Sequence, residues 1–291
     1  MTLVYRDFDQ QALDLQYNNQ AQVADPKRYI AWYRTASEKA RARVKHLRDI
    51  AYAGSPDERL DIFLPAGVSE SDRRPVVMFL HGGAWRNLDL AGSSFPAETF
   101  TAHGALYVAI GFSCMPAAVS LDKMVAQVRA ALAWLWLNIE SYGGNRNRLH
   151  LVGHSSGAHL GALALGTDWP RLHGIPPGLV SSAVLVSGIY DLEPVRLSYR
   201  NEMLKLDRAA EIRNSPCRNL PESGVPVLIS YGEFDTAEFK RQAQEYEAVW
   251  QRSYGNAGRL VLAGLNHYET IETLVDPESP LSRATLRWFG I

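Results

Sequence analysis

The chain has 291 residues, of which 46% are hydrophobic and 21% are charged, so it can bury a sizeable core and is not a disordered chain. Its formal net charge of −1 argues against a protein that binds nucleic acid through a basic field. Its two cysteines, Cys114 and Cys217, are too few for a disulfide framework or a cysteine-rich zinc site. The first twenty residues lack a signal-peptide core, and the apolar run at 130–137 is too short to cross a bilayer. We therefore expect a soluble, cytoplasmic protein that binds neither nucleic acid nor membrane.

The first fifty residues differ from the rest and predict a helical cap on a larger body. Asp25 and Pro26 form a good helix start, a capping side chain followed by proline at the first helical position. A basic stretch follows, and we interpret it as the solvated face of a packed helix rather than as a membrane or nucleic-acid surface. We expect one domain over residues 1–291, divided into a cap segment at 1–50 and a core at 51–291. The apolar positions at helical spacing in this stretch are Ile30, Tyr33, Ala40, Val44 and Leu47.

From residue 59 onward, short β-rich runs alternate with helical patterns. Several runs are apolar throughout, which is typical of strands buried on both faces. The clearest helical stripes cover Leu121 to Ile139 and the stretch from Thr236 to Trp250. This alternation predicts an α/β fold with a mostly parallel central sheet and helices on both faces, in which functional groups follow the strand ends. The predicted strands are Arg59–Leu64, Val76–Leu80, Ala105–Ile110, Leu149–Val152, Ala183–Val186, Val227–Tyr231 and Leu260–Leu262.

A G-x-S-x-G motif at residues 153–157 lies between a predicted strand and a helix of small residues. The motif alone is common, but this context is what a nucleophile elbow requires. Its glycines allow the strand and the helix to approach each other closely. The middle serine is then exposed above the sheet at the positive end of a helix. We expect Ser155 to be the nucleophile and Ser156 to contribute its backbone amide.

A second glycine motif, His-Gly-Gly-Ala-Trp at 81–85, follows a predicted strand. Acyl transfer needs backbone N–H groups that point at the developing oxyanion, and a glycine loop lets the backbone approach it. We expect an oxyanion hole made of the amides of Gly82, Gly83 and Ser156. A phosphate-binding turn is the alternative, but neither G-x-G-x-x-G nor a glycine–lysine pair is present.

A serine nucleophile needs an imidazole as its base, and an acid that orients that imidazole. In enzymes with a nucleophile elbow, the catalytic residues follow one another along the chain as Ser, then Asp or Glu, then His. Of the eight histidines, only His267 follows the last predicted strand, where this order requires the base. Asp235 follows the preceding strand and is the predicted acid. Glu233 and Asp191 remain alternatives. No H-E-x-x-H motif indicates a metal, and we expect neither a metal nor a cofactor.

The chain resembles the α/β-hydrolase superfamily, and within it the branch of kynurenine formamidase-like proteins and carboxylesterases. The resemblance covers nearly the whole chain, and the combination of HGG-x-W with GHS-x-GAHL is its most specific feature. Formamidases of this branch commonly have an aromatic residue in place of Ala84 and alanine in place of Ser156. The segment 111–116 also departs from their pattern. The matching segments are HGGAW at 81–85, GHSSGAHL at 153–160, Thr167-Asp168-Trp169, GEFD at 232–235, NHY at 266–268, Gln16-Tyr17-Asn18 and the helix after Pro26.

The resemblance implies a serine hydrolase with a small-molecule ester or formamide substrate. We favour a carboxylesterase that works through an acyl-enzyme, with an arylformamidase as the alternative. A non-catalytic binding protein of the same fold is a third hypothesis, which the complete set of three predicted catalytic residues disfavours. A homodimer stays open. The predicted substrate-binding residues are Ala84, Trp85, Tyr190 and Tyr268.

Overall fold

The structure is a computed structural model that describes residues 2–291. Its centre is an eight-stranded sheet in the order β1-β2-β4-β3-β5-β6-β7-β8. The strands β3 to β8 run parallel, whereas β2 is antiparallel to both of its neighbours. The predicted mostly parallel sheet is confirmed. The strands are β1 (His46–Ala51), β2 (Arg59–Phe63), β3 (Arg74–Leu80), β4 (Leu106–Ile110), β5 (Gly144–His154), β6 (Ser182–Val186), β7 (Val227–Gly232) and β8 (Ala257–Leu262).

Helices cover both faces of the sheet. Along β3, Val76, Met78 and Leu80 enter one apolar core, and Val77 and Phe79 enter the other, as the alternation of side chains along a strand requires. None of the helices within residues 2–291 is long and apolar enough to cross a membrane. The helices are α1 (Gln10–Tyr17), α2 (Pro26–Arg43), α3 (Ala97–Ala102), α4 (Leu121–Asn138), α5 (Ser156–Leu165), α6 (Trp169–His173), α7 (Glu193–Leu197), α8 (Asn201–Leu204), α9 (Arg208–Arg213), α10 (Ala237–Tyr254), α11 (Glu269–Glu272) and α12 (Pro280–Phe289).

The largest departure from the sequence-based prediction lies between α2 and β2. The helix begins as predicted, with the Asp25 carboxylate accepting from the Lys27 amide at 3.1 Å. It ends at Arg43, and Leu47 lies in β1, so the helical spacing predicted through Val44 and Leu47 is wrong at its end. The strand β1 lies at the edge of the sheet, and none of its side chains is fully buried. An exposed edge strand does not need the apolar pattern by which buried strands are recognised.

The N-terminal segment packs along α10. Leu13 and Tyr17 of α1 are fully buried, and the Tyr17 hydroxyl accepts from Gln242 Nε2 at 2.9 Å. This packing brings residues 18–20, which follow α1, to the carboxyl end of the sheet.

The turn between β5 and α5 contains a single residue, Ser155, with φ of 54° and ψ of −120°. A positive φ at a non-glycine residue is uncommon and persists only where the surroundings enforce it. A Cβ atom at Gly153 would lie 2.7 Å from Ala158 Cα, and one at Gly157 would lie 2.1 Å from the carbonyl oxygen of Leu80. Both glycines are therefore required for the close approach of strand and helix.

We predict that Gly157→Ala destabilises the protein by about 1–3 kcal/mol, because the added methyl group overlaps the backbone of β3. Urea unfolding measures the loss. Gly54→Ala is the matched control, since nothing lies within 4 Å of a Cβ at that position. Equal stability of the two variants would contradict the prediction.

Candidate active site

Three predicted residues from three separate loops meet at the carboxyl end of the sheet. Ser155 Oγ lies 3.0 Å from His267 Nε2, and His267 Nδ1 lies 2.7 Å from Asp235 Oδ1. Asp235 follows β7, and His267 follows β8. Because a carboxylate only accepts, Nδ1 carries the proton and Nε2 accepts from the serine hydroxyl. All three residues are at least nine-tenths buried, so the hydrogen-bonded chain is shielded from bulk water.

The Asp235 carboxylate is held in its charged form. Burial alone would raise its pKa, but the adjacent His267 imidazole and three hydrogen bonds together lower the pKa below its usual value. Besides His267, the donors are the Ser187 hydroxyl at 2.7 Å and the Gly232 amide at 2.9 Å, both to Oδ2. The carboxylate is thus fully hydrogen-bonded on the side away from His267, which fixes its orientation.

The two alternative acids serve other contacts. Glu233 accepts from the Gly264 amide at 2.8 Å, in a surface loop. Asp191 accepts from the Glu193 amide at 3.1 Å and lies 3.7 Å from a guanidinium nitrogen of Arg218. Neither of them bonds to His267.

The glycine loop after β3 lies against the nucleophile. A Cβ at Gly82 would lie 3.1 Å from Ser155 Cβ, so the bare backbone at this position borders the serine. Gly83 has φ of 107°, and its carbonyl accepts from the Asn87 amide at 2.8 Å, which closes the loop. Within residues 2–291, the amides of Gly82, Gly83 and Ser156 donate to no protein acceptor. These amides are the groups that the sequence predicts as oxyanion donors, and their position fits that role.

A cavity of about 360 Å³ opens over Ser155 and His267. Ala84 and Tyr268, two predicted substrate-binding residues, line it. Tyr268 is stacked on Tyr29 of α2 with 4.7 Å between ring centroids, and burial raises its pKa to about 12. Its hydroxyl is therefore neutral at physiological pH.

Two other predicted substrate-binding residues do not reach the cavity. Trp85 is 1% exposed, and its indole N–H donates to His159 Nδ1 at 3.2 Å. Tyr190 is also 1% exposed and is stacked on Tyr246 at 4.2 Å. Both rings belong to the core beneath the site, so the prediction that they contact substrate is wrong. The positive φ of Trp85 accompanies this inward turn of its side chain.

Two residues beside the three candidate catalytic residues were not predicted from the sequence. Ser187 follows β6 and donates to Asp235. His154, the variable residue of the elbow motif, donates from Nε2 to the His267 carbonyl oxygen at 2.9 Å, and burial lowers its pKa to about 3. It therefore stays neutral and holds the backbone of the base. Only the position of Ser187 at a strand end could have indicated its role.

No group of three His, Cys, Asp or Glu side chains within residues 2–291 is arranged to hold a metal ion.

Comparison with known proteins places this chain in a family. The family model BD-FAE matches residues 60–171. The kynurenine formamidase of Danio rerio is 32% identical over 98% of this chain and 98% of its own. Esterase LipC of Mycobacterium tuberculosis is 28% identical over 77% of this chain and 60% of its own. A crystal structure from Silicibacter sp. tm1040 superposes with a TM-score of 0.81 at 24% identity, covering 93% of this chain and 97% of that one.

The parallel sheet, the strained serine turn and these likenesses define an α/β-hydrolase. The chain belongs to the α/β-hydrolase family that has kynurenine formamidase and esterase branches. It is a hydrolase of the esterase or arylformamidase type.

We predict that acid weakens the fold through its buried neutral histidines. Burial lowers the pKa of His159 to about 4, well below the value of about 6.5 expected in the unfolded chain. Between these values the unfolded state binds more protons, so stability is lost as the pH falls from about 6.5 to 4. The loss from His159 alone is up to about 3 kcal/mol. A proton on Nδ1 would also oppose the N–H of Trp85.

The measurement is urea unfolding of wild type and His159→Gln across this pH range. The variant is expected to show a shallower dependence of unfolding free energy on pH, whatever its absolute stability. Equal slopes for the two proteins would contradict the prediction.

Proposed function

We propose that the protein is a carboxylesterase that cleaves small-molecule esters through an acyl-enzyme on Ser155. The observation that carries this proposal is the hydrogen-bonded chain from Ser155 Oγ through His267 to Asp235, below a cavity that opens on the serine. A serine hydroxyl is a weak nucleophile unless a base accepts its proton, and this chain supplies that base.

In the first half of the reaction, Ser155 Oγ attacks the ester carbonyl carbon, and its proton moves to His267 Nε2. The Asp235 carboxylate stabilises the resulting imidazolium without accepting its proton. The amides of Gly82, Gly83 and Ser156 donate to the negatively charged oxygen of the tetrahedral intermediate. His267 then gives the proton to the departing alkoxide oxygen, and the bond between carbonyl carbon and that oxygen breaks.

In the second half, water attacks the acyl-enzyme. His267 accepts a proton from the water, and the collapse of the second tetrahedral intermediate returns a proton to Ser155 Oγ. The acid product and the resting enzyme result.

Arylformamidase activity is the second candidate. The observation in its favour is that the Danio rerio kynurenine formamidase matches over 98% of both chains, whereas LipC covers less of each. The same catalytic residues serve both reactions, because a formamide differs only in needing His267 to protonate a nitrogen leaving group. Side-by-side kcat/KM values on 4-nitrophenyl acetate and N-formylkynurenine decide between the candidates.

We predict that Ser155→Ala abolishes labelling by a fluorophosphonate probe and lowers kcat by about 10⁴-fold or more. Ser156→Ala is the matched control on the neighbouring serine. It keeps the backbone amide and removes only the hydroxyl, so labelling is expected to persist. Labelling of Ser155→Ala at Ser156 would overturn the assignment of the nucleophile.

Ala84 links the oxyanion loop to substrate size. It lines the cavity directly after Gly83, so Ala84→Tyr is expected to occupy space beside the reacting carbonyl. We predict a loss of kcat/KM on branched or bulky acyl esters relative to 4-nitrophenyl acetate of about ten- to two-hundred-fold, the usual effect of a pocket mismatch of 1–3 kcal/mol. Equal changes on small and bulky esters would show that residue 84 does not set acyl size.

A further inference from the structure

Arg200, just before α8, lines the same cavity as Ser155 and His267. Its Nε and Nη2 both donate to the carbonyl oxygen of Tyr17, in the cap segment. A guanidinium has five N–H groups, so three of them find no protein acceptor within residues 2–291. The contact to Tyr17 therefore fixes the guanidinium plane and leaves most of its hydrogen-bonding capacity for a ligand.

The charge of Arg200 is also unmatched by the protein. No carboxylate lies within 4 Å of its guanidinium in the described part of the chain, and the titratable groups that act on its pKa are the tyrosines Tyr17, Tyr199 and Tyr268. By contrast, the partly buried Arg241 pairs with Glu238 and Glu245. Burial lowers the pKa of Arg200, as expected for a cation that is partly removed from water and has no carboxylate beside it.

The cap segment contributes polar residues to the same cavity that Arg200 lines. Asn19, two residues after Tyr17, also lines the cavity and is 6% exposed. Its Oδ1 has no hydrogen-bond partner within residues 2–291. An unbonded buried Oδ1 is unusual in a folded protein. Because this atom only accepts, it calls for a hydroxyl or N–H donor of a ligand, whereas an anionic group of the same ligand would lie at Arg200.

We propose that Arg200 anchors a carboxylate of the substrate, so that the preferred esters or formamides of this enzyme carry a free carboxylate apart from the bond that is cleaved. The planar fork of a guanidinium matches the two oxygens of a carboxylate, and such charge-assisted bonds are stronger than neutral ones. A carboxylate also supplies the single negative charge that would neutralise Arg200, which has no carboxylate partner in the described part of the protein. This inference rests on the proposed hydrolysis at Ser155.

Two other charged side chains border the cavity and provide comparisons. Arg86 is exposed, and its guanidinium makes no hydrogen bond to protein within residues 2–291, so that side chain is open to solvent. Glu202, also exposed, disfavours an anion near itself. The partly buried and oriented Arg200 is the better anion site, because its position is fixed before the ligand binds.

The test compares acids with their carboxamides, which match them in size but lack the charge. One pair, 4-acetoxyphenylacetate and 4-acetoxyphenylacetamide, carries the group on the leaving side. The other pair, mono-4-nitrophenyl glutarate and 4-nitrophenyl glutaramate, carries it on the acyl side. In at least one pair the wild type is expected to prefer the acid, and Arg200→Gln is expected to lower the ratio of kcat/KM values by about 10- to 100-fold. Arg200→Lys, which keeps the charge without the fork, should lower it less.

Arg86→Gln is the matched control and should change the ratio less than threefold. The proposal would be overturned if the wild type showed an acid-to-carboxamide ratio near one in both pairs. It would also be overturned if Arg200→Gln kept the wild-type ratio, or if Arg86→Gln lowered the ratio as much as Arg200→Gln does.

If Arg200→Gln fails to fold, inhibition of the wild-type enzyme decides. Phenylacetate should then inhibit hydrolysis of 4-nitrophenyl acetate at least tenfold more strongly than phenylacetamide, and equal inhibition would overturn the proposal. Absence of any Ser155-dependent hydrolysis, in contrast, would refute the proposed function itself.

Discussion

The strained backbone at Ser155 is the constraint on which the rest of the site depends. A residue with φ of 54° between a strand and a helix is stable only if both elements are held in place around it. The sheet supplies that hold, since the Ser155 amide donates to the Val186 carbonyl of β6 at 2.8 Å. On the other side, Gly157 packs directly on the backbone at the end of β3. The serine oxygen is thus positioned by main-chain contacts that a change of surface side chains does not disturb.

The same packing brings the glycine loop after β3 and His267 to the serine. Because Gly157 touches the end of β3, the loop that follows β3 must pass beside Ser155, and Gly82 lies there. His267 is fixed at two points, since His154 donates to its carbonyl oxygen and Asp235 accepts from its ring. The elbow therefore positions its partners from both sides, and the geometry of the site follows from how closely one strand and one helix can pack.

The sequence was most informative where chemistry requires a fixed residue at a fixed place. The elbow glycines and the strand-end positions of Asp235 and His267 were predictable, because the fold brings these strand ends together whatever the intervening residues are. The positions of the Trp85 and Tyr190 rings were not predictable, because an aromatic residue next to a motif can turn either towards the cavity or towards the core. His159 and Tyr246, which hold these rings in the core, are distant in sequence. The exposed edge strand β1 had no apolar pattern that could reveal it.

In the proposed enzyme, substrate selection depends on a different part of the molecule from catalysis. Part of the cavity lining comes from the cap segment around Asn19 and from the region around Arg200, neither of which carries a catalytic motif. The Tyr17 carbonyl joins these two regions, since it accepts from the guanidinium of Arg200. If Ser155, His267 and Asp235 serve both ester and formamide hydrolysis as proposed, the choice between these substrates falls to the residues that line the rest of the cavity, among them Asn19 and Arg200.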